Sequence, residues 1–340
     1  MSARSEAIDQ FLTQAGWKGA VRTSLAGDAS FRRYERVTHG EKKSVLMDAP
    51  PEKEDVRPFI RIAQYLAEGG LSAPRILAAD EAQGLLLLED LGDDLFARVL
   101  SKTPQQEEAL YLAAADVLVE LYAQAEKTQY HGVPLYDMDR FLQQVALLPE
   151  WFLPAASGEK ISAPAMSEYL ELWRKALAQL PPLRRVLVLY DYHAENLLWL
   201  PGRKDAERAG LLDFQDGVLG LPAYDMVSYL EDARRDVSAA TVARAIDYYL
   251  EKTLLPRGEF MMAYDLLGAQ RNTRIVGTFA RLAVRDGKQQ YLAFLPRVWA
   301  HLERDLKHPR LKEVKAWMDD TIGPTWRGVL SINAKARATG

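Results

Sequence analysis

The sequence contains no cysteine among its 340 residues, which excludes disulfides, thiolate nucleophiles and cysteine–zinc sites. Its five histidines form no HExxH pattern, which argues against a zinc hydrolase. No apolar run approaches the ~18 residues that a membrane span requires. The first ten residues are polar and lack the apolar core of a signal peptide. We therefore expect a cytoplasmic protein with no membrane partner.

An excess of positive charge is also missing. Lys and Arg number 43 against 47 Asp and Glu, so the net charge is −4, and the pI is about 5.9. Nucleic-acid-binding proteins usually carry a strongly basic face, so we expect no nucleic-acid partner. A composition that is 48% hydrophobic and 26% charged is typical of a globular protein. A chain of this length suits about two lobes, and we expect a monomer with a small-molecule substrate.

The first 92 residues are predicted to form a strand-rich lobe. Apolar patterns bounded by turn residues predict strands at 21–24, 31–37, 44–48, 76–79 and 85–88. A helix over 55–68 separates the third strand from the fourth, and Gly69-Gly70 ends it. From residue 93 the sequence becomes mainly helical, with helices predicted after Thr103 and near 138–148, 165–180, 223–233, 239–253, 259–284 and 290–305.

Short strands at 186–189, 197–200 and 211–213 surround two loops in the second part of the chain. The sequence therefore predicts an α+β, bilobal fold like that of protein kinases. Its small N-lobe (1–92) holds an antiparallel sheet, its larger C-lobe (93–340) is mainly helical, and the hinge lies near 88–92. ATP and Mg²⁺ are expected between the lobes.

Two segments of the predicted C-lobe carry oxygen-bearing side chains beside strands. The loop 190–196 contains Asp191 and Asn196, five residues apart, and the segment 211–216 contains Asp213 at a strand end. Phosphoryl transfer needs a carboxylate that orients the attacking hydroxyl and two oxygen ligands that hold Mg²⁺ against the phosphates. The spacing D-x-x-x-x-N is common in turns, so its meaning depends on the flanking strands. In that context we predict Asp191 as the catalytic base and Asn196 and Asp213 as Mg²⁺ ligands.

These segments resemble the aminoglycoside phosphotransferase-like superfamily, whose usual text is H-G-D-L-H-x-x-N followed by I-D-x-x-D. The match departs at its start, where Leu189-Tyr190 stands in place of His-Gly, and resumes at D-Y-H-A-E-N. The longer strings DYHAENLLWLPG, GLLDFQD, PAYDMVSYLEDARRDV and QRNTRIVGTFARLA resemble the anomeric kinases of N-acetylmuramate and N-acetylglucosamine used in cell-wall sugar recycling. The resemblance covers nearly the whole chain and implies phosphorylation of the anomeric hydroxyl of such a sugar.

The predicted nucleotide contacts lie in the N-lobe. The turn Ala26-Gly27-Asp28-Ala29-Ser30 stands where kinases place a loop over the phosphates, so Gly27 and Ser30 are candidate contacts, although an ordinary hairpin turn explains the pattern as well. The segment 86–92 ends the fifth strand at the position of the hinge. Backbone groups around Glu89 and Leu91 would bind adenine there.

The strand lysine that contacts ATP phosphates in kinases is missing, since Met47 occupies its position. The helix 55–66 also lacks the glutamate that would pair with such a lysine. Arg32 or Arg33 on the neighbouring strand could supply the charge, and strand alternation allows only one of them to face the nucleotide. Lys43 is a further candidate, and each of the three could equally be a surface charge.

Candidate acceptor contacts are the polar residues in and near the catalytic loop and two arginines three residues apart on a helix: His193, Glu195, Gln215, Asp216, Arg271 and Arg274. His193 more simply buttresses its loop, and Asp225 is expected to be a helix N-cap. Either arginine could bind the lactyl carboxylate of N-acetylmuramate. Two alternatives stay open: a kinase of another small alcohol such as choline, homoserine or an aminoglycoside, and a regulatory pseudokinase, which the missing lysine and glutamate favour.

Overall fold

A computed structural model describes residues 3–25 and 31–328 of the protein. The chain divides into two compact units. The first comprises Met1–Glu120 and Ala194–Gly217, and the second comprises Leu121–His193 and Val218–Gly340. Antiparallel strand pairing in the first unit and a larger helical part confirm the predicted α+β class. The lobe boundary at residue 92 stays a prediction, because the sheet-bearing unit also includes later segments of the chain.

The first unit is built on a five-stranded antiparallel sheet in the order β1-β2-β3-β5-β4. Its strands are β1 (Val21–Ser24), β2 (Arg33–His39), β3 (Lys42–Asp48), β4 (Ile76–Asp80) and β5 (Leu85–Glu89). The first four residues of β5 are all buried, as expected of a strand covered on both faces. The helices of this unit are α1 (Ala3–Gln14), α2 (Arg57–Glu68), α3 (Phe96–Lys102) and the start of α4 (Glu107–Gln124).

Helix α1 covers one face of this sheet. Its apolar stripe packs with buried residues of β2, β3 and β5 into one core cluster: Ile8, Phe11, Leu12, Val37, Leu46, Leu85 and Leu87. Side chains return to the same face about every 3.6 residues in a helix and every 2 residues in a strand, so one face of α1 can pack against alternate residues of the strands. The Arg4 guanidinium also donates to the buried Asp48 carboxylate at 2.9 and 2.5 Å, which fixes the helix start on β3.

A second hairpin belongs to the first unit. Strand β7 (Leu197–Trp199) pairs with β8 (Ala209–Leu211), and the segment between them contains a 3-10 turn, Asp205–Arg208. The Leu211 N–H donates to the Ser72 carbonyl at 2.9 Å. Strand β8 ends at Leu211, so the prediction of a strand over 211–213 is wrong at its end. Asp213 has a φ of +55°, which a strand cannot contain.

The second unit contains most of the helices and the hairpin of β6 (Val186–Val188) with β9 (Val218–Gly220). Its helices are α5 (Met138–Val145), α6 (Leu153–Ser157), α7 (Ala163–Leu177), α8 (Ala223–Leu230), α9 (Ala239–Thr253), α10 (Arg257–Val284), α11 (Leu295–Asp305) and α12 (Lys312–Thr321). The 28-residue α10 packs against α5, α8 and α11 and forms the centre of the unit. In the described parts of the chain, every helix is too short or too polar to cross a membrane.

Candidate active site

The loop that carries Asp191 has an unusual backbone. Strand β6 is buried along its length, and Asp191 follows it by three residues. The Asp191 N–H donates to the Leu189 carbonyl at 3.0 Å, which closes a three-residue turn on Tyr190. Tyr190 has a φ of +76°, the value of the classic γ-turn, which is rare and strained. Such a conformation persists only where surrounding contacts impose it.

Helix α8 supplies those contacts. Asp225 accepts the backbone N–H of Leu189 at 2.6 Å and that of Tyr190 at 3.0 Å, one on each carboxylate oxygen. The Ser228 hydroxyl donates to the Tyr190 carbonyl at 3.2 Å. Burial raises the pKa of Asp225 to about 7, and the two N–H donors act in the opposite direction. The expectation of an N-cap is therefore wrong, because Asp225 lies inside the helix and binds the loop instead.

Asp191 points its carboxylate into a partly open position, with 35% of its side chain exposed. The Arg274 guanidinium of α10 lies 3.6 Å from its Oδ1 atom and 4.3 Å from the centre of the Tyr190 ring. Arg271, one turn earlier on α10, is only 2% exposed and donates to the Glu231 carbonyl at 3.4 Å. The structure thus brings one of the two predicted arginines to Asp191 and buries the other.

His193 lies inside the second unit, with its Nε2 atom 3.3 Å from an Arg234 nitrogen. Burial lowers its pKa to about 3, and the positive charges of Arg234, Arg271 and Arg274 add to this against the opposite effect of Asp232. The ring is therefore neutral near pH 7. Its position is that of a group supporting the loop from within.

The two predicted metal ligands lie together in the first unit. The Asn196 side-chain amide is 3.5 Å from Asp213 Oδ2, and Gln215 Nε2 donates to Asp213 Oδ1 at 3.0 Å. Asp is one of the few residue types that adopt a positive φ readily, which suits residue 213. A carboxylate and a side-chain amide oxygen are ligand types that suit a hard divalent cation.

Arg32 occupies the same part of the first unit. Its guanidinium lies 3.1 Å from Asp213 Oδ1, and its side chain is 9% exposed. Burial acts against its charge, yet Tyr34 and the nearby carboxylates, among them Asp213, raise its pKa. Arg33 is exposed on β2, and Lys43 is exposed on β3. Of the three cations considered for the missing lysine, Arg32 is the one that the structure brings to Asp213.

The other predicted nucleotide contacts are placed differently. The Met47 side chain is fully buried within β3, so it offers no surface to a nucleotide in this conformation. Glu89 forms ion pairs with Arg75 and Arg203, and its backbone N–H donates to the Arg75 carbonyl. Its N–H is therefore already engaged, and only rearrangement would free it for adenine. Leu91 is half-buried after β5.

Four further residues were predicted to contact the nucleotide or the acceptor. Gly27 and Ser30 lie outside the described residues. Glu195 and Asp216 are exposed, and Asp216 Oδ2 lies 3.3 Å from the Gln215 amide nitrogen. The structure therefore places neither carboxylate in a buried site.

Sequence reasoning missed how helix α2 is linked to the loop that carries Asp213. The Phe59 ring stacks on Phe214, with centroids 4.8 Å apart and planes 25° apart. Phe59 belongs to the apolar stripe of α2, and Phe214 directly follows Asp213. An aromatic contact thus joins helix and loop in this unit, whose α2 lacks the glutamate of the kinase ion pair. The helical pattern over 55–68 does not reveal this contact, because Phe214 lies about 150 residues later in the sequence.

A family model described as the phosphotransferase enzyme family matches residues 21–261. The chain belongs to the phosphotransferase enzyme family. It is 40% identical over 352 residues to an N-acetylmuramate/N-acetylglucosamine kinase of Caulobacter vibrioides, covering 94% of this chain and 96% of the relative. A protein of the same name from Pseudomonas aeruginosa is 36% identical, with 90% and 91% covered. These matches confirm the resemblance seen in the motifs and support a sugar kinase.

Solved structures of other kinases and phosphotransferases share the fold. The GDP complex of aminoglycoside 2′-phosphotransferase-IIIa aligns with a TM-score of 0.58 at 14% identity, covering 93% of this chain and 99% of that one. A choline kinase from Streptococcus pneumoniae aligns with a TM-score of 0.61 at 14% identity, covering 92% and 100%. At such low identity the two structures establish the kinase-like fold of this phosphotransferase and not its acceptor.

Proposed function

We propose that this phosphotransferase transfers the γ-phosphate of ATP to the anomeric hydroxyl of N-acetylmuramate or N-acetylglucosamine. The product is the sugar 1-phosphate, which would enter cell-wall sugar recycling. The observation that carries the proposal is the presentation of Asp191: a partly exposed carboxylate on a backbone that Asp225 and Ser228 hold in a strained turn. The names of the relatives, at 32–40% identity, supply the acceptor class.

Asp191 would orient the acceptor hydroxyl and accept its proton, a role typically worth ~10²–10⁴-fold in rate. An anomeric hydroxyl is more acidic than an ordinary alcohol, so a carboxylate is a sufficient base. The locked turn at Tyr190 keeps the carboxylate in one place, which favours catalysis by positioning. Most of the remaining rate enhancement would come from electrostatic stabilisation of the transferring phosphoryl group.

Asn196 and Asp213 would hold the divalent cation, and the bound cation would neutralise charge on the phosphate oxygens. Arg32 would take the part of the missing strand lysine and bind a phosphate of ATP. Its ion pair with Asp213 keeps a positive charge beside the metal ligands. Gly27 and Ser30 stay proposed phosphate contacts, and Glu89 and Leu91 stay proposed hinge residues.

Two other functions remain as alternatives. Kinases of choline and of aminoglycosides share the fold, so another alcohol acceptor is compatible with the architecture. A pseudokinase is favoured by the absence of the lysine and the glutamate. Against it stands the pairing of Asn196 with Asp213, since a regulatory module has no need of a metal site.

The proposal is tested by measuring ADP release with Mg²⁺ and a panel of amino sugars, amino alcohols and aminoglycosides. We expect N-acetylmuramate or N-acetylglucosamine to stimulate ADP release, and Asp191→Asn to lower kcat by ~10²–10⁴-fold. ATP affinity should change little in this variant, because Asp191 faces the acceptor. Stimulation by choline or an aminoglycoside alone would favour the first alternative, and unchanged turnover in Asp191→Asn would reject the base.

A further inference from the structure

Tyr190 stands where the superfamily's usual text has glycine, immediately before Asp191. Its φ of +76° is readily adopted by glycine, but it strains the backbone of a bulky residue. Glycine would therefore adopt this backbone conformation with less strain than tyrosine. A tyrosine at this position indicates that its side chain contributes something that glycine cannot provide.

The Tyr190 side chain is 8% exposed and is held on three sides. Its ring stacks on Tyr224, with centroids 5.6 Å apart and planes 13° apart. Its hydroxyl accepts a hydrogen bond from Gln144 Nε2 at 2.6 Å. Gln144 is fixed in turn, because its Oε1 atom accepts from the Tyr136 hydroxyl at 2.5 Å and from Gln270 Nε2 at 3.0 Å. The ring is thus a rigid platform in the second unit.

Arg274 lies over the ring of Tyr190. Its guanidinium carbon is 4.3 Å from the ring centre, a distance typical of cation–π contacts. The 3.6 Å between Arg274 and Asp191 Oδ1 is longer than a good hydrogen bond, so the guanidinium is not bound to the carboxylate bidentately. Its buried Nε atom has no hydrogen-bond partner among the described residues. An arginine has five N–H donors, and buried donors normally find acceptors.

The surroundings of this arginine contain further arginines. Arg234, Arg271 and Arg274 all act on the neutral His193, against the opposite effect of Asp232. Arg271 cannot meet a ligand, because it is 2% exposed, whereas 13% of the Arg274 side chain is exposed. A carboxylate that reached Arg274 would add an acceptor for a guanidinium whose Nε donor has no partner among the described residues.

We propose that Arg274 and Tyr190 form a carboxylate subsite beside Asp191, in which Arg274 binds the acid group of an acidic hexose. Tyr190 is a positioning residue that holds the guanidinium plane through its ring. The inference rests on the proposed function and extends it, because it assigns to these two residues the discrimination between a sugar with a lactyl carboxylate and one without. N-acetylmuramate carries that group, and N-acetylglucosamine lacks it.

The test compares kcat/KM for N-acetylmuramate and for N-acetylglucosamine in matched variants. In Arg274→Gln the ratio of the two values should fall about 10-fold or more, as expected for the loss of a hydrogen bond to a charged group. Arg285→Gln removes the same charge from an exposed residue just after α10 and should leave the ratio unchanged. Tyr190→Leu should lower the ratio through KM for N-acetylmuramate, whereas Tyr190→Phe should preserve most of it, because the ring remains.

Arg274→Lys is a second variant that keeps the test decisive if Arg274→Gln does not fold. It keeps the charge but loses the planar fork of donors, so we expect a ratio between those of the wild type and of Arg274→Gln. If the wild type phosphorylates both sugars and every variant loses activity on both equally, the subsite is refuted while the proposed function stands. If the wild type phosphorylates neither sugar, both proposals fail.

Discussion

At the scale of single residues, the candidate site depends on side chains whose neighbours are far away in the sequence. Asp225 accepts two N–H groups from the loop more than 30 residues before it. The sequence shows an acidic residue near a helix start, for which an N-cap is the simplest interpretation. Its real partners could not be predicted, because they depend on how α8 packs beneath the β6 strand end.

Arg32 and Arg33 illustrate a second limit. The predicted strand began at residue 31, whereas β2 begins at Arg33. Arg32 therefore precedes the strand, and the alternation that was meant to choose between the two residues does not apply to it. The ion pair with Asp213 distinguishes Arg32 from Arg33 as the candidate phosphate contact.

We predict that Arg32→Ala raises the KM for ATP by about 10-fold or more, the loss expected when a charge-assisted hydrogen bond is removed. Arg33→Ala, one residue away and exposed, is the matched control and should leave the KM for ATP nearly unchanged. Steady-state kinetics with saturating sugar would measure both. Small and equal effects in the two variants would reject the assignment and point to Lys43 or to backbone amides.

At the scale of elements, the periodic patterns located most helices and strands within a few residues. The helix over 239–253 and the long helix ending at 284 have these bounds in the structure. Strand β9 was missed, because the three residues Val218–Gly220 are too short to show a period and are recognised only by their pairing with β6. Helix α12 was missed as well, although its buried residues Val314, Trp317 and Met318 follow helical spacing.

Helix α10 approaches the segment after α5 closely at Gly277. A Cβ atom at Gly277 would overlap the backbone of Leu147 and Leu148, on the turn that follows α5. A glycine in a helix interior costs about 1 kcal/mol relative to alanine, so its presence here indicates that the approach requires it. Backbone atoms cannot rotate out of the way as a side chain can.

Gly277→Ala should therefore lower the free energy of unfolding by about 1–3 kcal/mol, the usual cost of overpacking a close contact. Gly258→Ala lies on the same helix with open space around the new Cβ, and it should be neutral or slightly stabilising. Urea unfolding followed by circular dichroism would compare the two. A Gly277→Ala protein as stable as the wild type would show that α10 does not need this contact.

At the scale of the whole molecule, the sequence led to the kinase-like fold and the phosphotransferase family, because the motif segments and the order of elements agree. Composition excluded cysteine chemistry and made a nucleic-acid partner unexpected. The local backbone conformations that shape the site could not be predicted from the sequence. Tyr190 was visible as a departure from the usual glycine, but its positive φ and its contact with Arg274 appear only once α5, α8 and α10 are packed together.

The central claim is that the phosphate is transferred to the anomeric oxygen of an amino sugar. It is tested most directly by incubating the protein with Mg²⁺-ATP and N-acetylmuramate or N-acetylglucosamine and recording phosphorus and proton NMR spectra of the product. We predict a phosphorus signal coupled to the anomeric proton and no free reducing end. A product that keeps its reducing end and carries the phosphate on C6 would contradict the claim.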